Sequence, residues 1–246
     1  MIHMVDYNEI VKKSNFRKDT RAEHELGIFM DENYYSRLCE DKTPYLTFER
    51  ETDLKLQYEG IDVIIRSDDN REIIIDEKSA LYYTNNNLQT FAFELSFEKN
   101  GKVRDGWFVK DGLKTEYYML IWPNARCEKD KKTGQNIQVD LAKLTSKDFT
   151  IVEAILLNKK KLLAYLASLG LTKEVLIDRA KQMREVYRFS GNNYAHEDEE
   201  GIDFLHYTYT LRLVEKPINL VIDKKKLVEL ADRAYFISDR GYFRCN

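Results

Sequence analysis

Proline, glycine and cysteine are all scarce in this chain. Three prolines and ten glycines in 246 residues leave few stretches that read as open linkers. The three cysteines, Cys39, Cys127 and Cys245, are odd in number and far apart, which fits neither a disulfide framework nor a zinc spacing. A reducing, cytoplasmic setting is the expectation. No run reaches the roughly 18 apolar residues that a membrane span requires. The start, MIHMVDYNEIVKK, lacks the basic-then-apolar order of a secretory signal. Basic excess is missing too. The net charge is −3 and the pI about 5.9, so binding to nucleic acid would need a local patch.

Bulky apolar residues are present in quantity. A hydrophobic content of 43%, with 16 Tyr and 12 Phe, supports one sizeable core or a core with a smaller attached part. Residues 20–38 predict a helix, with Ala22, Leu26, Phe29, Met30, Tyr34 and Leu38 near one face. Asp19 or Thr20 is its expected N-cap, and Glu23 lies in its first turn. A β-rich region follows. Strands are expected at 46–49, 53–58, 61–66, 71–78, 88–97, 106–110 and 115–123, with Pro123 ending the last. Ser67-Asp68-Asp69-Asn70 is turn chemistry, which makes 61–78 the clearest hairpin in the chain. Residues 126–136 read as a polar loop and 146–186 as helical, broken at Gly170. The tail predicts strands at 204–214 and 219–222 and a final helix from Asp223.

The stretch REIIIDEKSA carries three isoleucines straight into Asp76, Glu77 and Lys78. Residues two apart in a strand share a face. Asp76 and Lys78 therefore point one way and Glu77 the other. A hairpin centred on 67–70 sets Asp62 roughly opposite residues 75 or 76, so two carboxylates and a lysine converge at its open end. Such a set suits metal-assisted phosphodiester hydrolysis. Asp62 and Asp76 are hard oxygen ligands for Mg²⁺, with Mn²⁺ expected to substitute, and Lys78 would hold the attacking water or offset charge.

Ile61-Asp62 followed by Asp76-Glu77-Lys78 resembles the motif of the PD-(D/E)xK nuclease superfamily, with Ile61 where proline often stands. The resemblance covers about residues 20–122, and its motifs are short. It implies a restriction-endonuclease-like α/β fold, a central mixed sheet flanked by helices. It also implies a glutamate on the preceding helix as metal ligand. Glu23 matches that position best, with Leu26 and Met30 at +3 and +7, and Glu25 is the alternative. A glutamine often follows the lysine, and Gln89 would be that substrate or water contact. Glu94, the one charge inside an otherwise apolar and small strand, would join the site if its strand neighboured 71–78. Glu77 is the least favoured of the three charges. The catalytic set expected is thus Asp62, Asp76, Lys78 and Glu23. Residues 1–125 would form the nuclease-like core and 126–246 a helical and strand part packed on it, or the two would form one domain.

The resemblance implies a nuclease with nucleic acid, DNA first, as partner; the lack of a long apolar run implies no membrane, and the oligomeric state is open. The competing expectation is a catalytically inactive interaction or nucleic-acid-binding module on the same fold, which the acidic net charge favours. Blander expectations stand beside several features. Strands that end in charges usually just leave the core. Tyr82 and Tyr83 read first as packing residues, and second as contacts to a base or phosphate. The basic runs Lys129–Lys132 and Lys159–Lys161 read first as solvated faces. LASLGLTKE could be the turn of a helix-turn-helix, though two packed helices around a glycine are the commoner case. HEDEEGID (196–203) reads as an exposed loop, and His24, His196 and His206 show no ligand spacing.

Overall fold

The structure, a computed structural model, describes residues 21–40, 46–129, 132, 134 and 139–245. The expected N-cap, Asp19 or Thr20, lies outside the described residues, as do parts of the 126–136 loop and of the first basic run.

Residues 21–30 are α-helical and continue through a π-helical turn at Asp31–Tyr35 into Ser36–Glu40; together these form α1. β1 (Leu46–Arg50), β2 (Val63–Ser67), β3 (Glu72–Ser79), β6 (Tyr117–Ala125), β7 (Phe149–Asn158), β11 (Arg233–Ser238) and β12 (Gly241–Arg244) build a seven-stranded sheet in the order β1-β2-β3-β6-β7-β11-β12. The β3–β6 pair is parallel and every other pair antiparallel, so the sheet is mixed. A second sheet, all antiparallel, runs in the order β5-β4-β10-β9-β8. Its strands are β4 (Thr90–Lys99), β5 (Lys102–Asp105), β8 (Ala195–Glu199), β9 (Ile202–Tyr209) and β10 (Ile218–Asp223). The remaining helices are α2 (Leu54–Tyr58), α3 (Lys159–Ser168), α4 (Lys173–Tyr187) and α5 (Lys224–Leu230). The class is mixed α/β, a large mixed sheet flanked by helices. Among the described residues, no helix is long and apolar enough to cross a membrane.

Alternation along the central strands creates two cores. On β6, Met119 and Ile121 pack under α1, whose Ala22, Leu26, Phe29, Met30 and Tyr34 are buried as their helical spacing predicted. Tyr118, Leu120 and Trp122 face the other way, onto Phe91, Phe93 and Leu95 of β4 and the apolar faces of α3, α4 and α5. Each fully buried side chain of this size contributes about 2 kcal/mol. Because β6 feeds both cores, both of its neighbours, β3 and β7, are held in fixed register.

Several segments depart from expectation. Residues 54–58 are helical, because the Asp53 side chain accepts from Lys55 N (2.8 Å) and caps a turn. Residues 106–110 form a turn whose Gly106 lies against Glu94: a Cβ there would meet the Glu94 carbonyl oxygen at 2.2 Å. Pro123 does not end β6. The parallel register with β3 stops at Ser79 opposite Ile121, so Pro123 occupies a position where no ladder N–H is needed on that side. Residues 149–158 form a strand rather than helix, since Phe149, Val152, Ala154, Ile155 and Leu157 are buried between β6 and β11 on both faces. Residues 196–203 belong to the β8–β9 hairpin, with Gly201 at φ 76° in its turn. The C-terminal helix stops at Leu230 and gives way to β11 and β12. The expected break at Gly170, φ 85°, does separate α3 from α4.

α4 is fastened to the second sheet by Arg184, which is buried. It donates to Glu98 (2.9 Å), the Tyr209 hydroxyl (3.1 Å) and the Ser96 hydroxyl (2.8 Å), and Lys216 shares Glu98 at 3.3 Å. Truncating one member of such a buried network leaves polar groups without partners. Arg184→Ala is expected to lower unfolding free energy by about 3 kcal/mol, measured by urea denaturation. A loss below about 1 kcal/mol would show that the network is not structural.

Candidate functional site

The Ser67–Arg71 turn closes the β2–β3 hairpin, with Asn70 at φ 59°. Its register pairs Val63 with Ile75, and Asp62 N donates to Ile75 O (2.9 Å). Asp62 therefore faces Asp76, as the turn position predicted. The Asp62 carboxylate accepts from Glu77 N at 2.8 Å. Just before it, Gly60 adopts φ 79°, and a Cβ there would meet Thr115 Oγ1 at 2.1 Å. That close approach lets the Thr115 hydroxyl donate to Gly60 O (3.1 Å) and Asp76 Oδ2 (3.4 Å).

Asp76 is 2% exposed and ion-paired with Lys78. The Lys78 ammonium also lies 5.3 Å from the Trp107 ring centroid. Burial acts to lower the Lys78 pKa, but Asp76 and Asp62 outweigh it and the net shift is upward, so this lysine is an ammonium at neutral pH. Burial works the opposite way on Asp62. With the Asp76 carboxyl beside it, and against the pull of Lys78, burial pushes the Asp62 carboxyl up to about 8. Tyr118, aligned with Asp76 across the parallel β3–β6 pair, buries a hydroxyl that has no hydrogen-bond partner among the described residues.

Glu77 points to the α1 face, as alternation predicted. It accepts from Tyr35 (2.9 Å) and Arg50 (2.7 Å), and Arg50 also grips Asp31 at 2.8 Å. The π-helical turn of α1 supplies both Asp31 and Tyr35 to this network.

A cleft of about 730 Å³ opens over the hairpin end, lined by Asp62, Glu77, Lys78 and Trp107 among others. Glu23 and His24, both exposed on the first described turn of α1, line it too. Glu23 is near enough to help hold Lys78 charged. Glu25 turns away and accepts from Ser146 N (2.8 Å). Glu94 reaches the site by a route other than the one expected. Its strand lies in the second sheet, not beside β3, yet its carboxylate approaches Lys78 and accepts from Trp107 N. Burial raises its pKa. Gln89 is exposed and donates to Asn87 O (2.7 Å) and Oδ1 (2.8 Å), outside the cleft lining. His196 and His206 stack at 4.4 Å on the β8–β9 hairpin. Lys159 sits over the Tyr118 ring at 5.8 Å, while Lys161 pairs with Asp232 at 3.0 Å.

Arg50, Trp107 and Thr115 were not legible as site residues. Their signals are weak: an arginine at a strand end, a tryptophan after a close-packed glycine, and a threonine just before a strand.

Among the described residues, no three His, Cys, Asp or Glu side chains are grouped to hold a metal ion. The donors on offer are the Asp62 and Asp76 carboxylates and the Glu77 carbonyl oxygen, which lies 3.4 Å from Lys78 Nζ. That set is all oxygen, and the buried Asp62 carboxyl retains a proton that a hard dication would replace. The residues thus fit a cation that takes one or two carboxylates and completes its shell with water and phosphate.

No protein-family model matches the chain, and neither a curated protein nor a solved structure is similar enough to count as a match.

The Asp62 shift has a consequence for stability in metal-free buffer. Its folded pKa lies above the usual value near 4, so the native state keeps a proton that the unfolded chain releases. Asp62 therefore makes stability fall as pH rises from about 4 to about 8, and its contribution levels off above that. Denaturation of wild type and Asp62→Asn across this window is expected to show the variant gaining relative stability as pH rises. A difference constant with pH would contradict the shift.

Proposed function

We propose that this protein is a Mg²⁺-dependent nuclease of the PD-(D/E)xK type that hydrolyses phosphodiester bonds in DNA. The observation that carries the reading is the meeting of Asp62, Asp76 and Lys78 at the open end of one hairpin, where Asp62 and Lys78 line a cleft and Asp76 lies buried behind them. Further support comes from the order helix, hairpin, parallel strand in a mixed sheet, which is compatible with a restriction-endonuclease-like core.

In this reading Asp62 and Asp76 would hold the ion, with the Glu77 carbonyl oxygen available beside them, while Glu23 on the cleft wall helps keep Lys78 charged. Bound Mg²⁺ would lower the pKa of a coordinated water and neutralise charge on the phosphate. Lys78 is already protonated, so it cannot take a proton from water. It acts as a fixed donor that orients the attacking water in line with the scissile bond and offsets developing negative charge. Asp76 and the Trp107 ring hold that ammonium in place. Glu77 supports the site from behind. Bound by Tyr35 and Arg50, it locks the strand that carries its two neighbours.

A second reading, a catalytically inactive interaction module, is favoured by two observations. The Lys78 ammonium already neutralises Asp76, and no three-ligand group is present among the described residues. Two measurements separate the readings. Mn²⁺ is expected to raise the melting temperature of wild type but not of Asp62→Asn. Cleavage of DNA with Mg²⁺ or Mn²⁺ is expected to fall at least about a hundredfold in Asp76→Asn and in Lys78→Ala. Equal cleavage by all three proteins would sink the catalytic assignment, and no Mn²⁺ shift in wild type would favour the module.

A further inference from the structure

The lining of the cleft speaks to the form of the substrate. Duplex binding draws its affinity from lysines and arginines that neutralise phosphates. Here the lysine and arginine of the lining are Lys78 and Arg50, and both are already spoken for, by Asp76 and by Asp31 and Glu77. The same walls carry Glu23, Glu51, Asp62 and Glu77. The cleft therefore has little to offer a run of backbone phosphates beyond the one at the reacting centre.

What it does offer is aromatic surface. Tyr82 and Tyr83 line the cleft and are each 52% exposed. They occupy the 3₁₀ turn Leu81–Tyr83, two residues past the strand that carries Lys78. This turn is braced at both ends. Ala80 N donates to Ile121 O (2.8 Å), and Leu81 is buried in the α1 core. Beyond the turn, Asn85 exchanges two hydrogen bonds with the Ala125 backbone, each 2.9 Å. The Thr84 hydroxyl donates to Leu81 O (2.6 Å) and closes the turn on itself. The bracing holds the turn, and with it the backbone that carries the two tyrosines, in one place at the cleft wall. Tyr194, 50% exposed on the approach to β8, is near enough to Tyr83 for the two hydroxyls to influence each other.

We propose that the cleft takes single-stranded rather than duplex DNA, with unstacked bases seated on Tyr82 and Tyr83 beside the scissile phosphate. Aromatic stacking supplies affinity without sequence preference, and only a strand whose bases are unstacked can present their faces to the two tyrosines. That the bound strand is also cut rests on the nuclease reading above; that it binds does not.

The test has two arms. In the first, fluorescence anisotropy with Ca²⁺ compares wild type on a labelled single-stranded DNA, the matching duplex, and RNA of the same sequence. Single-stranded DNA is expected to bind at least about tenfold tighter than duplex. Tyr82→Ala/Tyr83→Ala is expected to weaken it about tenfold or more, while Tyr82→Phe/Tyr83→Phe retains it. Equal or tighter binding of duplex, or no effect of the alanine pair, would overturn the inference. Tighter binding of the RNA would overturn its choice of DNA. In the second arm, Mn²⁺-dependent cleavage of the same DNAs is followed, with the alanine pair expected to raise KM on single strands more than it lowers kcat. Binding as described without any cleavage would overturn the nuclease reading and leave the binding inference standing.

Discussion

Three consecutive charges at the end of a buried strand have to be neutralised one by one, and the structure is arranged around that need. β3 is paired on both edges, by β2 and β6, and its charged end lies between Tyr35 and Arg50 on one face and Trp107 on the other. On one face Glu77 is met by Tyr35 and Arg50, which in turn bind the π-helical turn of α1 through Asp31. On the other, Asp76 is met by Lys78, and Lys78 by the Trp107 ring, while Asp62 is brought alongside by the hairpin. An unpaired charge at either place would cost several kcal/mol. The ionic contacts therefore fix where α1, the Gly106 turn and the second sheet can sit relative to β3.

That arrangement is complete for one face and unfinished for the other. Glu77 has both carboxylate oxygens bound by rigid donors, which suits a brace. Around Asp62 and Asp76, Lys78 pairs with Asp76, burial keeps a proton on Asp62, and among the described residues the buried Tyr118 hydroxyl has no hydrogen-bond partner. Buried polar groups normally find partners. An unfinished polar cluster at the base of a cleft is the pattern expected where a ligand completes the set.

Much of this was legible in the chain because it is local. The helix face of Ala22, Leu26, Phe29, Met30 and Tyr34, the hairpin turn at 67–70, and the sorting of Asp76 and Lys78 from Glu77 all follow from short periodicities. Failures came where tertiary context decides. Residues 149–158 contain helix formers but are buried on both faces as a strand, and Pro123 sits inside β6 because its neighbour β3 has already ended. Glu94 could not be placed from its strand alone, since β4 belongs to the other sheet and approaches Lys78 only through folding of the second layer over the first. Arg50 and Trp107 gave only weak local signals, because their role exists only in three dimensions.

The central claim is that Asp62 and Asp76 form one cation site beside Lys78. Its most direct test is a crystal soaked in Mn²⁺ and measured by anomalous diffraction. A single strong peak is predicted within bonding distance, about 2.2 Å, of both carboxylates. A well-ordered crystal with no peak between them, or with Mn²⁺ bound only elsewhere, would contradict it.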